Sequence, residues 1–264
     1  MMITAVMLSW KRPGHLPQIV KSWQQVPEIT ERIIWNNNPD VKLADLGATV
    51  ISASQDVGLY SRFAAGGLAR NRTILMQDDD LLLPHATIRR LVSEWQREPD
   101  ILHGIFGREP RPDGSYDPRN ILARGGQSRN VPIVLTRAVV FRREYCGDFL
   151  GDVRPHFDPI QDSSRPYGNG EDILLSFLAR KRTGRLNRIH PVSWKELPGP
   201  HAIYKRRGHN QHRTELLRAC EAWLREPCTC RDRTLCPVLE HDSNCPIRLT
   251  SFPGPASSPA ADSD

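Results

Sequence analysis

The sequence predicts an α/β protein built on a mixed, mainly parallel sheet with helices on both faces. Two observations carry this. Through the first hundred residues, short runs rich in β-branched residues alternate with longer segments whose apolar residues recur at helical spacing, the βαβ alternation of a parallel sheet. Each run also closes on polar turn formers, and in such sheets ligands collect outside the carboxyl ends of the strands.

The elements follow in order. "ITAVMLSW" (3–10) is a short apolar strand, and "HLPQIVKSWQQV" (15–26) places Leu16, Ile19, Val20 and Trp23 on one helical face. "ERIIWNNN" (31–38) and "ATVISAS" (48–54) read as strands, and "GLYSRFAAGGLA" (58–69) as a helix weakened in its middle by Gly66 and Gly67. "RTILMQ" (72–77) is a strand that runs straight into Asp78, Asp79 and Asp80. "PHATIRRLVSEWQREP" (84–99) opens with proline at a helix N-terminus. Beyond it, 101–116 reads as a strand and turn, 130–145 as a strand leading into a helix, and 154–170 as a long polar loop. "EDILLSFLARKRTG" (171–184) is a helix with acids in its first turn, bases in its last and Gly184 as a stop; 211–226 is the last helix of the body. From about Ser251 the chain is rich in Pro, Ser and Ala and reads as disordered. This divides the chain into a body over 1–226, a cysteine-containing appendage over 227–250 and a tail over 251–264.

Composition sets the limits. A hydrophobic content of 39% with 25% charged residues is that of an ordinary globular chain, and no apolar run is long enough to span a membrane. The net charge of +6 comes from scattered arginines, which suits anionic ligands such as phosphates better than it suits nucleic acid. The first residues read as a strand rather than a signal peptide, so the mature chain is expected to begin at or near Met1. Of the six cysteines, Cys146 stands alone in the body and the others begin at Cys220, a pattern that fits a reducing, cytoplasmic compartment.

The chemistry-bearing residues cluster at strand and helix ends. Asp78, Asp79 and Asp80 end a strand that looks central, where an unpaired buried carboxylate costs several kcal/mol. A solvated Asp-rich turn would explain them; so would hard carboxylate oxygens that hold Mg²⁺ or Mn²⁺ together with substrate phosphates. Without cation and ligand, the triplet is expected among the less stable parts of the fold. Glu171 and Asp172 open a helix whose dipole favours them, and Gly168 and Gly170 before them let backbone approach a ligand, so a carboxylate there suits a base or an electrostatic partner. Arg12 and Arg62 follow strand carboxyl ends on the same side, where guanidinium groups pair with a pyrophosphate, and Arg213 lies near the last helix.

The ordered set "SWKRPGHL", "IIWNNN", an arginine sixteen residues before "DDD", and an acidic pair opening a late helix resembles the exostosin-like glycosyltransferases, sugar-transferase family 64, over roughly residues 3–225. The resemblance implies a GT-A fold, a nucleotide-diphospho-sugar donor of the UDP-sugar kind, a Mn²⁺ ion and transfer with retention; the sequence itself does not say whether the acceptor is a glycan, a protein or a nucleobase. By position it implies nucleotide contacts for Arg12 and Asn36 and a donor contact for Arg62. Sugar and ribose contacts fall to Asp78 and Asp79, the metal to Asp80 with Asp78 beside it, and catalysis to Asp172 with Glu171 and Arg213. Leu8 and Val57 stand where the family has a glutamine and an asparagine near the nucleotide, and Gly170 and Leu216 where it can carry a cysteine pair.

Three readings of Asp172 stay open: nucleophile, electrostatic partner in a same-face attack, or base of an inverting enzyme like those of family 2. A nucleotidyltransferase would use similar paired acids, although "SWKRPGHL" is a poor version of its glycine-rich loop. A non-catalytic binding protein would use none of them chemically. Cys228, Cys230, Cys236 and Cys245 have loop spacings compatible with a structural Zn²⁺ site, and equally with a reduced, metal-free tail.

Overall fold

The computed structural model describes residues 1–158, 169–199 and 208–226. The proposed zinc cysteines, Gly168, the appendage and the tail lie outside these described residues.

The chain alternates as expected at first: β1 (Ile3–Ser9), α1 (Leu16–Gln24), β2 (Ile29–Asn36), β3 (Thr49–Ser52), α2 (Ser61–Gly67), β4 (Thr73–Asp78), the short β5 (Leu81–Leu82) and α3 (His85–Arg97). There follow β6 (His103–Gly104), β7 (Phe106–Arg108), β8 (Ile121–Leu122), β9 (Arg129–Val131), β10 (Ile133–Val134) and β11 (Ala138–Arg142). The remainder is α4 (Glu144–Asp148), a π-helical turn at Phe149–Val153, α5 (Arg154–Phe157), α6 (Glu171–Thr183), β12 (Asn187–Ile189), β13 (Lys195–Glu196) and α7 (His209–Arg225).

The main sheet has the order β3-β2-β1-β4-β11-β6-β12-β9, with β3, β2, β1 and β4 parallel and β11 antiparallel to β4. Every residue of β1 is buried, as are the first five of β4, so both faces of the sheet centre are covered. Hence the apolar runs at 3–9 and 73–77 lack the alternation of a half-exposed strand. Trp23 of α1 is fully buried and donates its indole N–H to Gln77 Oε1 at 2.9 Å, which satisfies a polar side chain inside the core.

Two stretches differ from the sequence reading. Residues 130–145 are not one strand: β10 pairs with β7 in a separate three-stranded sheet, while β11 enters the main sheet, with α4 only beginning at Glu144. Residues 154–157, the start of the expected polar loop, are helical and continue the turn at 149–153, because Phe149, Val153 and Phe157 are buried, Phe149 stacking on Phe63 at 3.8 Å between ring centroids. Gly66 closes α2 for a packing reason, since a β-carbon there would lie 2.5 Å from Cys146 Sγ. Cys220 is buried on α7, within the body and not in the tail. No helix among the described residues is long and apolar enough to cross a membrane.

Candidate active site

In the sheet order β3-β2-β1-β4, the chain builds outward from β1 to β2 and β3, then returns to place β4 on its other side. The carboxyl ends of β1 and β4 therefore flank a switch point, the place where open α/β sheets bind ligands. Leu8 of β1 is in register with Asp78 of β4, so the triplet emerges in that crevice.

The triplet's backbone is held from three directions. Asp78 N–H donates to Arg137 O at 2.9 Å, His15 Nδ1–H donates to Asp79 O at 2.8 Å, and Leu197 N–H donates to Asp80 O at 2.8 Å. Gln77 adds an Nε2–H bond to Leu81 O at 2.8 Å. The side chains are paired as well. Arg12 reaches Asp79 at 2.9 Å and Asp80 at 2.7 Å, Arg62 reaches Asp78 at 2.9 Å, and Arg137 reaches Asp80 at 3.3 Å. Three guanidinium groups thus offset the mutual repulsion of the acids, a compensation unforeseen in the expectation of a weak triplet. Burial raises the Asp79 carboxyl to about 6 despite the pull of Arg12, with Asp78 and Asp80 adding to the rise.

The second half of the site comes from α6 and α7. Gly170 sits at φ +93°, and a β-carbon there would overlap Leu216 of α7, so glycine is required both by backbone and by space. This places the two positions of the family's cysteine pair side by side. Asp172 is 5% exposed and is gripped through both oxygens by Arg213 Nη2, at 2.6 and 2.5 Å. Arg213 also donates to Asn169 Oδ1 at 3.2 Å and lies over the Tyr116 ring at 4.4 Å. Glu171 accepts from Thr136 Oγ1 at 3.1 Å and lies 3.9 Å from Arg62 Nη1. Its carboxyl is pushed up, first by burial and then by Asp172, against the pull of Arg62 and Arg213.

Arg12, Asp78, Asp80, Glu171, Asp172 and Arg213 line one cavity of about 650 Å³. The other predicted residues stand behind it. Asp79 is 9% and Arg62 4% exposed; Arg62 bridges Asp78, Thr136 and Glu171 from within the protein. Asn36 is turned away, donating to Val41 O at 2.6 Å and accepting from Asn38 N–H, so it shapes the loop after β2. Thr136, Arg137, Asn169 and Tyr116 also line the cavity and were missed by sequence reasoning. Arg137 had a signal of the same kind as the triplet: a charged residue set between the apolar runs "VPIVL" and "AVVF".

Among the described residues, no group of three or more His, Cys, Asp or Glu side chains is arranged to hold a metal. Asp78 and Asp80 nonetheless both face the cavity with hard carboxylate oxygens. That donor set suits Mg²⁺ or Mn²⁺, which bind through one or two carboxylates together with substrate phosphates.

A switch-point crevice with paired acids on β4 and a second acid–arginine pair on α6 and α7 is the architecture of a GT-A glycosyltransferase. The solved structure of GalNAc-T7 with UDP, GalNAc and Mn²⁺ has this fold: it matches with a TM-score of 0.55 at 11% identity, over 75% of this chain and 44% of that one. The model of the glycosyl transferase family 64 domain matches residues 3–233, and the chain belongs to that family. The glucosamine inositolphosphorylceramide transferase 1 of Arabidopsis thaliana is 29% identical over 185 residues, 66% of this chain and 22% of that protein. Exostosin-like 2 of Homo sapiens is 26% identical over 210 residues, 74% of this chain and 62% of that protein. The chain thus spans less than two thirds of the length of either relative.

Proposed function

We propose that this domain transfers a sugar from a UDP-sugar to an acceptor hydroxyl with divalent-metal dependence and retention of anomeric configuration. The observation that carries this is the convergence, on one cavity, of the β4 acids at the switch point with the buried Asp172–Arg213 pair. The Mn²⁺ and UDP of the GalNAc-T7 structure support the metal and the nucleotide.

Asp78 and Asp80 would hold a divalent cation, which would supply charge neutralisation for the diphosphate. Arg12 and Arg213 add cationic donors to the same wall. The bond between the sugar's anomeric carbon and the diphosphate oxygen breaks with its electron pair left on the diphosphate, through an oxocarbenium-like state. Asp172 stabilises that positive charge electrostatically. Both its oxygens are held by Arg213, which favours a fixed negative charge over a proton acceptor. The acceptor oxygen then bonds to the anomeric carbon on the face the diphosphate leaves, and its proton passes to the departing phosphate oxygen. This same-face course is retention, and the hold of Arg213 on both Asp172 oxygens supports it over an inverting course that needs Asp172 as a base.

The test is UDP release from a panel of UDP-sugars with Mn²⁺, with the product anomer read by NMR. Asp172→Asn and Asp80→Ala each lower turnover by about 10²-fold or more while folding is kept. Normal turnover in both variants overturns the reading, and an inverted anomer overturns the retaining course alone.

A further inference from the structure

The crevice at the strand carboxyl ends has a counterpart at the other end of the same sheet. A second cavity of about 530 Å³ lies where β1 and β4 begin and β11 ends, walled by Met1, Met2, Arg70, Arg72, Trp95 and Arg142. Thr73 opens β4 opposite Arg142 of β11, and its Oγ1–H donates to Met1 Sδ at 3.8 Å. β1 is seven residues long, which at ~3.3 Å per residue puts roughly 20 Å between this cavity and the switch-point crevice. The two share no lining residue.

The polar groups that these walls leave unbonded are all donors. Trp95 is 8% exposed and its Nε1–H makes no hydrogen bond, unlike that of Trp23, which is donated to Gln77. Arg142 Nε–H is likewise buried without a partner, although Arg142 Nη2 pairs with Asp100 at 2.6 Å. A buried donor without an acceptor is costly to keep. Arg70 and Arg72 meet Glu31 and Glu144 through Nε, at 2.9 and 3.5 Å, and their Nη groups donate no hydrogen bond among the described residues. Glu144 is the one acid of the lining, against three arginines. The rest is apolar, chiefly Pro99 and the two methionines. Met1 and Met2 are 48% and 62% exposed, and their unbranched side chains can move aside to let an oxygen reach the covered donors. Donors and positive charge set beside apolar side chains suit an oxyanion that carries an apolar body.

We propose that this cavity is a second ligand site, which takes a phosphate monoester with an apolar group, its head on the arginines and its body against Trp95 and the methionines. A soluble ester and a lipid headgroup offer that chemistry alike. The site stands apart from the sugar-transfer reading, since none of its residues serves the crevice. The experiment follows the Trp95 indole N–H in nitrogen–proton NMR spectra of the full chain, its peak assigned with Trp95→Phe, a change that removes no hydrogen bond. Phenyl phosphate is expected to move that peak, and to bind about ten-fold or more tighter than inorganic phosphate or phenol. Arg72→Glu, at a largely exposed position, weakens binding by about ten-fold or more, and Arg72→Gln by less; thermal melts check that both fold. Sedimentation with phosphatidylcholine vesicles, with and without phosphatidic acid at about one lipid in five, tells the sources apart. Retention on the acidic vesicles that phenyl phosphate competes away assigns the site to a lipid headgroup; binding of phenyl phosphate without such retention assigns it to a soluble ester. An indole peak that phenyl phosphate leaves in place, equal affinity for the three soluble probes, or undiminished binding in Arg72→Glu overturns the proposal.

Discussion

Arg213→Met isolates what the buried pair contributes. Arg213 and Asp172 are each 5% exposed, and both carboxylate oxygens rest on Arg213 Nη2, so little water reaches either charge. Removing the guanidinium leaves Asp172 beside the equally enclosed Glu171 without its main counter-charge. Breaking a buried pair from one side costs about 3–5 kcal/mol. In a domain of this size each kcal/mol moves the midpoint by about 2–4 °C, which gives a fall in Tm of about 6–20 °C. Removing both charges in Asp172→Asn/Arg213→Met takes away the stranded carboxylate, so the double variant is expected to be more stable than Arg213→Met alone. Urea unfolding of the wild type, both single variants and the double variant supplies the coupling energy. If the double variant loses the simple sum of the two single losses, the pair is not energetically coupled and the assignment of Arg213 as the partner of Asp172 fails. UDP release should stay low in all three variants, which separates stability from chemistry.

Stability should also depend on pH through His190. His103 Nε2–H donates to Glu98 O at 2.9 Å, and the two rings meet at 3.0 Å, Nδ1 of His103 to Nε2 of His190. Ser128 Oγ lies 2.8 Å from His190 Nδ1, so the network is complete with both rings neutral. Burial, with a smaller push from His103, lowers His190 to about 3. The unfolded chain takes up this proton near pH 6.5 and the folded one does not, so stability is fully present above that pH and falls as pH drops toward 3. Between pH 7 and 5 the loss is about 1–2 kcal/mol, and urea midpoints of His190→Gln should vary less over that interval; an unchanged slope argues against the neutral pair. Gly170→Ala should cost about 2–4 kcal/mol, from the positive φ and the overlap with Leu216. Adding Leu216→Ala should recover part of it, and no recovery would mean that backbone strain alone is at work. Arg62→Met should destabilise by about 3 kcal/mol and lower UDP release, since Asp78 and Glu171 lose their shared cation; a stable, active variant would refute that bridging role.

Much of the site was legible because it depends on local rules. Asp78 to Asp80 announced themselves as charge at the end of an apolar strand, and helix 171–183 carried its own acids, bases and glycine stop. The partners were not legible, because they are set by pairings far apart in the chain. Arg137 reaches Asp80 only because β11 inserts antiparallel beside β4, and Thr136 touches Glu171 only because that turn faces the start of α6. Arg62 was singled out for following a strand's carboxyl end, and Asn36 only by the family resemblance. Whether such a side chain faces the ligand or turns back into the protein is decided by packing, and no periodicity reports it.

The backbone bonds around Asp78, Asp79 and Asp80 have one more consequence. A loop at the mouth of a cavity ordinarily exchanges its amide hydrogens fast, yet Asp78 N–H and Leu197 N–H are both committed to partners across the site. Deuterium should enter there at the pace of the central strands and not at that of surface turns. The same bracing means that lesions at Gln77 or Trp23, neither of which lines the cavity, will shift the acids as a unit. In a mutational scan such positions would read as losses of turnover, and a melting curve taken beside the assay would show that the bracing of the fold, not a group in the cavity, had been removed.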